Sequence, residues 1–78
     1  MSVKRRNYAV GYKYERARQE MLSRGFKAYQ VADIMFLVPI TLSKKLRGKS
    51  DFLLREAVEF KKIIGTDLSL EELFEVSE

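Results

Sequence analysis

Between Tyr12 and Phe74 the apolar residues of this chain recur at three- and four-residue spacing, and no useful stretch alternates as a half-buried strand would. The cleanest run is Leu53, Ala57, Phe60 and Ile64, at spacings of four, three and four, with Glu56, Glu59 and Lys62 on the opposite side. It predicts a helix from about Asp51 to Ile64, closed by Gly65. Tyr14, Ala17, Met21 and Leu22 predict an earlier helix over about Tyr12 to Arg24, with Gly25 where a left-handed cap would stop it. Val31, Ala32 and Met35 point inward from a short helix over Ala28 to Met35. Pro39 opens a further one that runs to Arg47, carries Leu42 and Leu46, and ends at Gly48. Ser69 with Glu72 forms a capping box ahead of a last short helix bearing Leu70, Leu73 and Phe74. The expectation is an all-α, five-helix bundle over residues 12–78, preceded by a basic arm over residues 1–11.

Seventy-eight residues make one domain. A chain of this size buries only about 60% of its unfolded surface, so each misplaced core residue matters. With no Cys and no His, thiol and imidazole catalysis and the usual zinc sites are excluded. The carboxylates are scattered, and no glycine-rich phosphate loop occurs. No enzyme activity, cofactor, metal or small-molecule substrate is expected. The longest apolar run, Ile34 to Ile40, falls far short of the roughly 20 residues a bilayer requires, so no membrane partner is expected. No apolar segment follows the basic N-terminal residues, which reads as a cytoplasmic protein without a signal peptide.

The net charge of +4 hides a strong polarity. Residues 1–24 carry seven Lys/Arg against Glu15 and Glu20, and residues 25–50 carry five against Asp33, together +9. Residues 51–78 carry Arg55, Lys61 and Lys62 against eight acids, a balance of −5. A basic two-thirds backed by an acidic end suits a polyanion on one side and solvent on the other.

Val31-Ala32-Asp33-Ile34-Met35, a tight turn, and then Thr41-Leu42-Ser43-Lys44-Lys45-Leu46-Arg47-Gly48 resemble the lambda-type and Cro-type phage repressors. Ala32 matches the small residue that lets the family's second and third helices pack closely. Phe52, Glu56-Ala57 and the segment Leu68 to Phe74 look like the family's later helices, so the resemblance covers about Tyr12 to Val76. It implies a lambda-repressor-like helix-turn-helix that binds double-stranded DNA as a homodimer and regulates transcription, with the third helix in the major groove. The matching base-facing positions are Pro39, Ile40, Thr41, Lys44 and Lys45. Those matching phosphate contacts are Lys27, Tyr29, Arg47, Lys49 and Ser50. Lys4, Arg5 and Arg6 resemble the basic arms that some members lay along the duplex.

Three positions depart from the family. Phe36 replaces the turn Gly, and Val38 and Leu53 replace hydroxyl caps; the first two losses come to about 1–2 and about 1 kcal/mol. Five large apolar residues within 35–40 also exceed what one turn can bury, so part of this segment is expected at the surface. Phe36 and Val38, with Leu70, Leu73 and Phe74 on the last helix, are therefore candidate protein-interface residues. The alternative function is an antirepressor-like interaction module on the same scaffold. Tyr8, Tyr12 and Tyr14 among basic residues would also suit a single-strand stacking platform.

Overall fold

A computed structural model describes residues 13–76. They form five α-helices: α1 (Glu15–Ser23), α2 (Ala28–Ile34), α3 (Pro39–Arg47), α4 (Leu54–Ile64) and α5 (Leu70–Leu73). Among the described residues there is no strand. The basic arm, with Lys4, Arg5 and Arg6, lies outside them, as do Tyr8 and Tyr12. No helix among them is long and apolar enough to cross a membrane. α2 packs on α3 and α4, α1 on α3 and α5, and α4 on α5.

The core is the set of inward faces that the helical spacing marks out: Ala17, Met21, Val31, Ala32, Leu42, Leu46, Phe60, Ile64 and Leu73 are buried. A side chain of one carbon at the fully buried Ala32 lets α3 approach α2. Beside this core lies an aromatic cluster. Phe52 and Phe74 meet at 4.9 Å between ring centroids, Phe60 stands 5.8 Å from both, and Tyr14 lies 5.6 Å from Phe74, all edge to face. Such pairs add about 0.5–1.5 kcal/mol each beyond their area.

Four sequence expectations are corrected here. α1 begins at Glu15, because Tyr14 is its N-cap outside the helix and donates its N–H to Leu46 O at 3.0 Å, tying α1 to the end of α3. α4 begins at Leu54, not Asp51: Leu53 is extended, and its N–H is taken by the Glu56 carboxylate at 3.0 Å. Leu53 is consequently exposed and Phe52 takes its place against the core. Leu22 is exposed too, since it is rotated about 100° from its buried neighbour Met21.

Helices α1, α2 and α3 end alike. Phe26 N donates to Met21 O and Gly25 N to Leu22 O; Lys49 N donates to Lys44 O and Gly48 N to Lys45 O. At the end of α2, Leu37 N donates to Ala32 O at 2.8 Å and Phe36 N to Asp33 O at 3.2 Å. Each is the paired hydrogen-bond pattern of a Schellman cap, which requires a left-handed residue at its centre. Gly25 and Gly48 hold that place at φ 87° and 86°, and Phe36 holds it at φ 60°. The turn is thus built as Gly would build it, with a bulky side chain in the position glycine favours.

A polar clamp joins α1 to the α4–α5 link. Buried Thr66 donates its hydroxyl to Glu20 Oε1 at 2.7 Å and accepts from Leu68 N at 3.2 Å. Arg24 pairs with Glu20 at 3.3 Å and donates to Gly65 O at 2.8 Å. The Thr66 hydroxyl, aided by Arg24, outweighs partial desolvation and holds the Glu20 carboxyl below the usual carboxylate range. A depressed native pKa gives stability that is present above the unfolded carboxylate's pKa and is lost as pH falls through the folded value. In acid melts the wild type is therefore expected to lose more stability below about pH 4.5 than Glu20→Gln, which has no proton to take up there. Parallel acid losses in the two proteins would show that this clamp carries no charge-dependent stability.

Candidate functional site

The solvent side of α3 follows from its buried side. With Leu42 and Leu46 facing the core, a period of 3.6 residues places Ile40, Lys44 and Arg47 on one outward stripe, and all three are exposed. Thr41 and Ser43 flank the stripe and are half-buried; Pro39 is exposed. The leading end of the stripe is hydrocarbon and its trailing end is cationic. Lys49 is exposed beyond Gly48, and Ser50 after it is half-buried. Lys27 and Tyr29, at the start of α2, are exposed as well.

α2 presents its own edge next to α3. Lys27 N donates to the Gln30 side-chain oxygen at 2.8 Å, one half of a capping box, because Lys27 has no oxygen to complete it. Tyr29, Gln30, Asp33, Ile34, Leu37 and Pro39 line an open groove of about 500 Å³ between the two helices. Asp33 is the one charged residue among those lining this groove, so the groove is less basic than the α3 stripe beside it.

Lys45 is not on the stripe. Its ammonium lies 3.1 Å from Glu56 Oε1 and donates to Asp51 O at 2.9 Å, with only 12% of the side chain exposed. It sits three residues past Leu42, at the border of the buried face, and fastens α3 to the start of α4. The sequence placed it among base-facing residues; its geometry makes it a strut. That spacing from Leu42 carried the signal, but the partner Glu56 lies in another helix.

The candidate protein-interface residues divide in two. Leu73 is 0% exposed and is core, whereas Phe74 is half-buried: it packs into the aromatic cluster and also lines an apolar groove beside Leu70. The burial of Leu73 follows from α5 lying against α1 and α4. Leu70 is half-buried, and with Leu54, Phe52, Val76 and Tyr14 it lines the same groove, of about 450 Å³, where Leu54 is 73% exposed. Tyr14, edge-on to Phe52 and Phe74, is not a free stacking face. Phe36 is 94% exposed, and Val38 and Ile40 beside it in sequence are 62% and 63% exposed.

Among the described residues no group of three or more acidic, His or Cys side chains is placed to hold a metal ion. One residue that sequence reasoning passed over is Lys13. Its side chain packs so closely on Gly48 that a Cβ there would fall 2.6 Å from Lys13 Cδ. Its ammonium lies 5.4 Å from the Tyr14 ring centroid, close to the end of α3. No family model, no curated protein and no solved structure matches this chain.

Proposed function

We propose that this protein binds double-stranded DNA through the outward stripe of α3 and is a transcriptional regulator of phage or mobile-element type. The observation that carries the reading is the α2–turn–α3 unit. Two short helices join through a left-handed Schellman turn, pack through Ala32, and leave Ile40, Lys44 and Arg47 exposed on the second helix. An α-helix of that kind fits the major groove, about 12 Å wide. Lys27 and Lys49 flank it where phosphates would pass. A single recognition helix of nine residues reads little sequence, which favours two copies on paired half-sites. The apolar groove around Leu54, which Leu70 and the half-buried Phe74 also line, supplies a surface for that pairing, in place of the buried Leu73.

Titration of a labelled random duplex at low salt tests the reading, since the basic face should bind it without sequence preference. No binding there would overturn it. On a selected site, Lys44→Ala is expected to cost roughly 1–3 kcal/mol if Lys44 reads a base, with an unchanged melt. An equal loss on every duplex would make it a phosphate contact, and no loss on any would move the recognition surface elsewhere.

Phe36 favours a second reading, in which the same scaffold grips another protein. A left-handed, almost fully exposed Phe is retained where Gly25 and Gly48 show glycine to be the strain-free solution. Phe36→Gly is expected to stabilise the isolated domain by about 1 kcal/mol, because no packing is lost and the backbone strain is relieved. Under the second reading the variant loses association with its partner, since aromatic anchors that become buried on binding dominate interface energy. A lower melting temperature would contradict the strain argument itself.

A further inference from the structure

We infer that the leading end of α3 reads the C5-methyl groups of thymine, so that the favoured site presents thymines where Val38 and Ile40 meet the base edges. This rests on the DNA-binding reading above and adds what the surface selects. Val38 is the N-cap of α3 and makes no side-chain cap hydrogen bond; Pro39 follows, and then Ile40. All three are exposed, and none has a side-chain donor or acceptor. The first polar side chain, Thr41, is half-buried and points off the stripe.

In the major groove, adenine, guanine and cytosine present only donors and acceptors, whereas thymine sets a C5-methyl group beside its O4 acceptor. A hydrocarbon tip pressed on the polar edges displaces their water and returns no hydrogen bond, which disfavours those bases. Against a thymine methyl the same tip buries apolar surface on both sides. Selection therefore works by attraction to one base and by penalty against three. The cationic residues behind the tip hold it there: Lys44 follows Ile40 by one turn, about 6 Å along the helix, and Lys49 stands beyond the C-terminal cap. A protein partner for the same apolar tip is the competing outcome.

The test uses a duplex selected by the full chain from a random pool, resynthesised with deoxyuridine in place of thymidine at each position in turn. Uracil keeps every hydrogen-bonding edge and lacks only the methyl. At two or more positions the substitution is expected to weaken binding about fourfold, the worth of one buried carbon. Ile40→Ala is expected to bind the thymine and uracil duplexes equally at the position that Ile40 reads; the side chain is largely exposed, so its removal leaves the fold intact. A selected duplex that binds tightly with no loss on any uracil substitution would overturn the methyl readout while leaving DNA binding in place. Failure to bind any duplex, with Phe36, Val38 or Ile40 variants instead losing a protein partner, would overturn both.

Discussion

Phe60→Ala is expected to remove most of the stability of the domain, leaving a broad, low-temperature thermal transition or none. Phe60 is fully buried, faces Phe52 and Phe74 edge to face at 5.8 Å each, and belongs to the one core that all five helices share. Truncation removes a ring and leaves a cavity that its neighbours fill only in part, at a cost of about 3–5 kcal/mol. A domain of this length has a total stability of roughly 4–12 kcal/mol. The loss is thus comparable with the whole. Leu54→Ala, at the start of the same helix, serves as the control at concentrations where the chain is monomeric: the side chain is exposed in the single chain, so the melt should hardly move. Near-wild-type melting of Phe60→Ala would mean that the aromatic cluster is not the centre of the core.

The contrast between Phe60 and Leu54 shows what is legible in a sequence of this kind. Spacing alone separates the inward faces of α2, α3 and α4, because a residue three or four positions from a buried one shares its side. Glycines mark the left-handed caps at 25, 48 and 65, and the Ser69–Glu72 box is readable because both partners are local; it forms with Ser69 Oγ accepting from Glu72 N at 3.1 Å. What was not legible needs a partner from elsewhere. Lys45 looks like a solvent lysine until Glu56 comes within 3.1 Å. Leu73 looks like part of an exposed apolar edge until α1 and α4 close over it. Leu53 fits the stripe of α4 by count, yet the helix starts after it, since Glu56 reaches back to the Leu53 N–H rather than to Ser50 or Asp51. In the candidate site, the resemblance grouped Thr41 and Lys45 with the base-facing residues and set Arg47 among the phosphate contacts. The outward stripe runs instead through Ile40, Lys44 and Arg47, with Thr41 half-buried and Lys45 paired to Glu56. The handedness at Phe36 was expected to be costly from its identity, and the backbone adopts that conformation nonetheless.

Affinity for a random duplex is expected to fall by about two orders of magnitude between 50 and 200 mM salt, if the described cations alone make the phosphate contacts. Each phosphate neutralised releases condensed counterions, giving a logarithmic slope of about −0.9 per contact. Lys27, Lys44, Arg47 and Lys49 are exposed on or flanking the outward stripe of α3, and four contacts through them give a slope of about −3.6. Lys4, Arg5 and Arg6 extend the same argument beyond the described residues. If the arm joins the duplex, seven contacts steepen the slope to about −6, and the fall approaches four orders of magnitude. Replacing the three arm residues together by Ala should then return the slope to the shallower value, whereas an uninvolved arm leaves it unchanged. Lys45 supplies an internal control, since a lysine already paired with Glu56 and bonded to Asp51 should contribute nothing to the slope when replaced by Met. A flat response to salt would sink the electrostatic account, because a surface that binds phosphates without releasing ions is not one made of lysine and arginine.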